Sequence, residues 1–202
     1  MIAFACHNCG KSFTVGDEHA GRSARCKACG ATVTVPAAEP SQPAVKIPMR
    51  TRRLRADAEA IAATFADFPI IRAIPVAGDP PETYHVAYAI NSLQRGADGK
   101  PQPCKYHKVE IQLTAEYPRI SPKCTMLTPI FHPNIDTSSI CVGDHWTAGE
   151  RLADLVIRIG EMIAYQAYNI KSPLNAEAAM WADLNRGLLP TDARDLRPAD
   201  LD

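Results

Sequence analysis

Cysteines supply the clearest chemistry in this sequence. Four of the seven fall in two tight pairs, Cys6-x2-Cys9-Gly10 and Cys26-x2-Cys29-Gly30, each followed by a β-prone run, KSFTV and ATVTV. A two-residue gap lets both sulfurs of a pair turn onto one ion, and the glycine after it permits the positive φ of a tight turn. Two such knuckles complete a tetrahedral four-thiolate site with no open coordination position, so the metal they imply is structural and not catalytic. His7 and His19 are then surface residues, since four thiols suffice. A second cluster lies in TPIFHPNIDTSSICVGDHW, residues 128–146, which places His132, Asn134 and Cys141 within ten positions of a segment lacking any helical or strand period. Taken alone, Cys141 is either a nucleophile or one more buried thiol. It follows an irregular loop, whereas Cys124 falls in a strand-like run and Cys104 in a proline-flanked turn; those two are read as incidental or structural thiols.

The elements that must position these residues are legible from pattern. Residues 1–36 hold both cysteine pairs and resemble a zinc ribbon with one structural Zn2+. Residues 37–48, AAEPSQPAVKIP, carry Pro40, Pro43 and Pro48 with little to bury, and read as a linker. Residues 49–202 form the main domain. It opens on MRTRRLRADAEAIAATFADF, with Leu54, Ala58, Ile61 and Phe65 at helical spacing and arginines crowding the start as a solvated basic face or a docking surface. IIRAIPV, YHVAYAI, HKVEIQL and KCTMLT follow as four strands of an antiparallel meander, with QRGADGKPQP as a turn-rich gap. GERLADLVIRIGEMIAYQ aligns Leu152, Leu155, Val156, Ile159, Met162 and Ile163 on one stripe, a helix that covers a face of that sheet. A last helix, NAEAAMWADLNRG, follows Pro173, and LLPTDARDLRPADLD reads as an irregular tail. The class is α+β.

Composition excludes some functions. Lysine plus arginine equal aspartate plus glutamate at 22 each, so no net field draws the molecule to nucleic acid or to an anionic membrane surface. No stretch approaches the roughly 20 apolar residues of a membrane helix, and MIAFACHNCG has no secretory pattern. Paired cysteines with an odd total fit a reducing compartment, so a cytoplasmic location is expected.

YPRISPKCTMLTPIFHPNI, then IC, a nearby tryptophan, an amphipathic helix and SPLNAEAA are similar in kind and order to the catalytic fold of ubiquitin-conjugating enzymes, over roughly residues 49–187. The resemblance implies the UBC-like fold: an N-terminal helix, a four-stranded antiparallel meander and C-terminal helices, here preceded by a small zinc ribbon. It implies that Cys141 accepts the C-terminal carboxyl of a ubiquitin-like modifier from an activating enzyme and yields it to an amine, usually lysine. Thiol exchange on a thioester is nearly balanced and needs no strong base, but amine attack builds charge on the thioester oxygen. Asn134 matches the family's HPN asparagine and is the candidate donor to that oxygen; His132 and Pro133 are assigned to loop shape. Ser172 falls where the family places a serine or aspartate beside the cysteine, and is the candidate for positioning the incoming amine. Tyr117, Pro118 and Trp146 match packing residues.

The chain also departs from the family pattern. Asn134 and Cys141 stand seven positions apart, one fewer than usual, and IDTSS lacks the customary glycine. Arg119 replaces an exposed aromatic and WTAG replaces a tryptophan-serine-proline turn, so no standard RING ligase is expected as a partner. The ribbon is expected to recruit a target protein or the modifier, in a combination that resembles conjugation systems of bacteria. The alternative is a catalytically inactive adaptor with the same fold, which the presence of Cys141 opposes; a cysteine hydrolase would need a base, for which His145 is the sequence-near candidate.

Overall fold

The computed structural model describes residues 1–37, 46–142 and 146–199. The chain divides into two compact units, Met1–Lys46 and Ile47–Asp202. Most of the proline-rich linker and His145 lie outside the described residues.

The first unit is two β-hairpins of like construction. β1 (Ile2–Ala5) pairs antiparallel with β2 (Ser12–Val15), and β3 (Ser23–Arg25) with β4 (Thr32–Thr34). Each cysteine pair sits in its hairpin turn. Cys6 N–H donates to Lys11 O and Gly10 N–H to Cys6 O, and Cys26 and Gly30 repeat both bonds with Ala31 and Cys26. Gly10 and Gly30 take φ of 72° and 77°, the left-handed turn that a side chain would strain. Among the described residues only a handful of apolar ones, including Phe4, Phe13, Ala31 and Val33, pack around Cys6 and Cys26.

In the second unit α1 (Met49–Thr64) leads into a four-stranded sheet ordered β10-β9-β6-β5, made of β5 (Ile71–Ala77), β6 (Thr83–Tyr88), β9 (His107–Gln112) and β10 (Lys123–Met126). Between β6 and β9 the chain builds a separate hairpin of β7 (Ser92–Arg95) and β8 (Pro101–Cys104). The expected meander is present, and the QRGADGKPQP gap is this extra hairpin. Pro101 and Pro103 argue against a central strand, but a two-stranded ribbon leaves one edge of each strand unpaired and tolerates them. Alternation decides which sheet face is buried. Tyr84, Val86 and Tyr88 of β6 stand opposite Ile111, Val109 and His107 of β9, all at most 2 % exposed.

α2 (Leu152–Ile163) joins that face to form one core, with every residue of the stripe read from its sequence buried. Gly160 permits the close approach: a Cβ there would stand 3.2 Å from the Tyr88 ring and 3.3 Å from Leu196. Tyr88 in turn donates its hydroxyl to Val156 O at 2.9 Å. The arginines of α1 are not all a solvated face. Arg50 donates to Glu82 and to the carbonyls of Leu113 and Thr114, while Arg53 binds the buried Asp57, Tyr117 Oη and the carbonyls of Ala148 and Glu150. Arg52 and Arg55 remain exposed.

α3 (Ala176–Leu184), capped by the Asn175 side chain on Ala178 N–H, belongs to a smaller core with Leu93, Phe131 and Tyr165. The irregular C-terminal segment is tied down. Asp192 accepts from Asn91 N–H and the Arg194 guanidinium, Gln166 donates to the carbonyls of Asp192 and Arg194, and Leu196 is 1 % exposed.

Candidate active site

The loop that follows β10 owes its shape to three anchors. Phe131 N–H donates to Leu93 O of the inserted hairpin, and its ring meets Trp181 of α3 edge-on at 6.3 Å. His132 is fully buried against the Tyr165 ring, 4.6 Å between centroids, and its Nδ1 accepts from Asn134 N–H at 3.1 Å. Burial pushes the His132 pKa down to about 3, so its imidazole is neutral at pH 7. Pro133 O accepts from both Leu174 N–H and Asn175 N–H, which ties the loop to the start of α3.

Beyond Asn134 the missing glycine is replaced by a side-chain-capped turn. Asp136 Oδ1 accepts from Ser138 N–H at 2.7 Å, Ser139 N–H at 2.8 Å and Ser138 Oγ. These bonds hold its carboxyl below the usual range, the Ser138 hydroxyl contributing most. An aspartate can hold such a turn without positive φ, and Tyr165 is the one non-glycine residue with positive φ among those described. The short loop closes through the Ile135 to Ile140 bridge, and Cys141 N–H donates to Asn134 O at 3.1 Å.

Tyr165 ends α2 and turns the chain toward the opposite wall. Its N–H reaches Met162 O and Gln166 N–H reaches Glu161 O, the paired bonds of a helix stop whose left-handed position glycine usually fills. A tyrosine with φ of 57° costs about 1–2 kcal/mol there. The ring offsets this by burial, and its hydroxyl donates to Phe131 O. Residues 166–172 then run past the cysteine loop, and Asn134 joins the two: Nδ2 donates to Asn169 O at 2.8 Å and Oδ1 accepts from Asn169 N–H at 2.7 Å. A second, long contact of 3.5 Å runs from Nδ2 to Ser172 O.

Between these walls lies a cleft of about 410 Å³ whose lining includes Asn134, Cys141 and Ser172. The three candidates, separated by up to 38 positions in sequence, thus share one surface depression. Cys141 and Ser172 are exposed and Asn134 is 5 % exposed. The other cysteines of this unit are set up differently. Burial pushes Cys124 up to about 12 and Cys104 up to about 11, which leaves both protonated at neutral pH. Cys104 lies at the end of β8, not in a turn, 3.6 Å from Nε2 of the buried His107.

Asn169 and Arg158 also line the cleft, and neither is among the site residues expected from the sequence. Asn169 had no periodicity or motif to mark it. Arg158 did carry a signal: it interrupts the otherwise apolar run LVIRIG of α2, and in the structure it lines the cleft while its neighbours are buried. Tyr117 and Trp146 pack ring to ring at 5.7 Å, with Trp146 Nε1 donating to Pro118 O, whereas Arg119 is exposed.

In the first unit the sulfurs of Cys6, Cys9, Cys26 and Cys29 all lie within 4.8 Å of one another, with Cys6–Cys29 and Cys9–Cys26 separations of 3.7 Å. A tetrahedron with metal–sulfur bonds of about 2.3 Å has edges of about 3.8 Å, so the four side chains fit a zinc ion.

A family model described as ubiquitin-conjugating enzyme matches residues 81–194, more than half of the chain. Among curated proteins, the chain is 31 % identical over 112 residues to the "Probable ubiquitin-conjugating enzyme E2 31" of Arabidopsis thaliana, covering 54 % of this chain and 71 % of that protein. It is 31 % identical over 94 residues to "Ubiquitin-conjugating enzyme E2 S" of Dictyostelium discoideum, covering 45 % of this chain and 43 % of that one. A solved structure titled "Novel Ubiquitin-Conjugating Enzyme" superposes with a TM-score of 0.52 over 72 % of this chain and 96 % of its own, at 21 % identity, which establishes the fold.

Proposed function

The chain belongs to the ubiquitin-conjugating enzyme family, and on that premise we propose that it carries a ubiquitin-like modifier as a thioester on Cys141 and passes it to an amine, usually lysine. One observation carries the reading: the exposed thiol of Cys141 opens into the same cleft as Asn134 and Ser172, whereas Cys124 is sealed in the core and Cys104 is half-buried.

In the first step the Cys141 thiolate attacks the carbonyl carbon of the modifier's thioester on an activating enzyme. A new C–S bond forms, the old one breaks, and the activating enzyme's thiolate leaves. One thioester replaces another, so the step is nearly balanced and runs without a dedicated base. In the second step the amine nitrogen attacks the same carbon, negative charge grows on the oxygen, the C–S bond breaks and an amide remains. The amine proton goes to water or to the departing thiolate. Asn134 Nδ2 has one N–H committed to Asn169 O; the other, with only its 3.5 Å contact, is the donor assigned to the developing oxyanion. The same carboxamide braces the cleft wall, so the two roles share one side chain. Ser172, exposed on the opposite wall, accepts a hydrogen bond from the incoming amine and positions it.

The four cysteines would hold one structural zinc ion, which would supply folding energy to a unit with too little core to fold alone. It takes no part in the chemistry, because its four thiolates leave no position for water. The ribbon then serves as an interaction surface for the target or the modifier.

The test supplies the cognate modifier, its activating enzyme and ATP, and looks for a thiol-sensitive adduct on a non-reducing gel. Cys141→Ser converts the adduct to a thiol-resistant ester or removes it, while Cys124→Ser keeps it. The reverse pattern places the nucleophile elsewhere.

A further inference from the structure

α2 carries an arginine where its core-facing pattern has no use for one. Arg158 is 24 % exposed and lines the cleft that holds Cys141; it is the only charged residue among the described lining residues. Glu150, itself 12 % exposed, fixes it through an ion pair of 2.9 Å to Nη1. The remaining N–H groups are poorly used among the described residues. Nη2 stands 3.5 Å from Val142 O, and Nε is buried without a partner. A guanidinium has five N–H groups in a rigid fork, so a fork held by one good ion pair is pre-aimed with donor capacity to spare. Val142 directly follows Cys141, so this capacity lies beside the chain at the reacting sulfur.

We infer that Arg158 binds the acyl donor, donating from its guanidinium to a backbone carbonyl of the modifier's C-terminal peptide as that chain leaves the Cys141 thioester along the cleft. The inference rests on the proposed thioester chemistry and deepens it. Two things enter such a cleft. The acyl chain is an extended peptide with one carbonyl acceptor per residue, and taking it out of water requires donors to replace solvent. The acceptor is an amine, which must itself donate hydrogen bonds on arrival, and a guanidinium has no acceptor to offer it. A fixed group with only donors therefore suits the tail and not the lysine. Asn134, the other strong donor in the wall, has one N–H tied to Asn169 and the other assigned to the oxyanion, which leaves none for the tail.

The probe is a short synthetic peptide thioester ending in glycine, carrying a small thiol leaving group, added to the full chain without activating enzyme. Cys141 Sγ attacks the peptide carbonyl carbon, the C–S bond to the small thiol breaks, and that thiol departs with the proton. The variant is the double substitution Glu150→Gln with Arg158→Gln, which removes the cation without leaving a half-buried carboxylate unpaired. The wild type should saturate with peptide. The variant should need roughly tenfold more peptide for half-maximal loading rate, with the maximal loading rate within about twofold, as expected for loss of a charge-assisted hydrogen bond made equally before and during reaction. Alkylation of Cys141 by iodoacetamide should proceed at the wild-type rate, and Arg158→Lys should fall between the two. An unchanged half-saturating peptide concentration, an unsaturable wild type, or an alkylation rate that drops by the same factor overturns the inference. So does an effect confined to discharge onto lysine, which would put Arg158 on the acceptor side. Failure of the wild type to load Cys141 from the activating enzyme and ATP is a separate result, and it removes the proposed function itself.

Discussion

Replacing Asn134 with alanine separates the two duties assigned to its carboxamide. The structure gives it two short hydrogen bonds, both to the backbone of Asn169, at 2.8 Å and 2.7 Å. Alanine removes both and strands one N–H and one C=O on the opposite wall. A fully buried pair left this way costs up to about 3 kcal/mol per group, but Asn169 is exposed and water can take over part of the bonding, so about 1 kcal/mol per bond applies. The sum, about 2 kcal/mol, lowers Tm by roughly 4–8 °C in a domain of this size. The chemical duty is larger and separable. Loss of one oxyanion donor costs about 3 kcal/mol, a discharge rate to free lysine roughly a hundredfold lower. Loading of Cys141 should stay within a few-fold of wild type, because thiol exchange is balanced without that donor. Asn134→Asp sharpens the contrast: it keeps an acceptor for Asn169 N–H, but turns an oxygen toward Asn169 O and has nothing to donate. It should discharge at least as slowly as alanine. Thermal melts with single-turnover loading and discharge gels give all three numbers. An unchanged Tm refutes the brace, and discharge within twofold of wild type refutes the donor.

Acid should destabilise the core before it reaches the carboxylates. Burial holds His107 down to about 4 and His132 down to about 3, against an unfolded value of about 6.5. Below pH 6.5 the unfolded chain takes up protons that the folded chain refuses, so each histidine removes up to about 1.4 kcal/mol per pH unit as pH falls toward the folded pKa. Stability from this source is complete above pH 6.5, and a urea midpoint that stays flat from pH 7 to pH 5 would contradict the burial argument. Chelation, or Cys26→Ser, should unfold the Met1–Lys46 unit and release one zinc per chain by elemental analysis, while Cys141 still loads at its normal rate. Loss of loading on chelation would tie the metal to catalysis.

Part of this architecture was legible because its determinants are close together in sequence. Two cysteines three positions apart, followed by glycine, specify a knuckle by themselves, and the pattern occurs twice. Alternation in YHVAYAI and HKVEIQL marked strands, and the apolar stripe of α2 marked a helix, since each period is set by the backbone of a single element. The order of HPN, IC and SPLN identified the family and the candidate residues. What stayed hidden depends on partners far along the chain. The arginines of α1 read as solvated until Arg50 met Glu82 and Arg53 met Tyr117 and the carbonyl of Glu150. Prolines concealed the β7–β8 hairpin, which holds the site loop through Leu93 O. Local sequence thus determined which elements form and which residue types they carry into the cleft. Tertiary structure alone decided that Asn134 would be shared with Asn169, that a tyrosine would hold a glycine's conformation at the end of α2, and that Arg158 would line the same cleft as Cys141. Hydrogen bonds and burial across tens of residues select among conformations that neighbouring residues leave nearly equal in energy, and no short pattern encodes that selection.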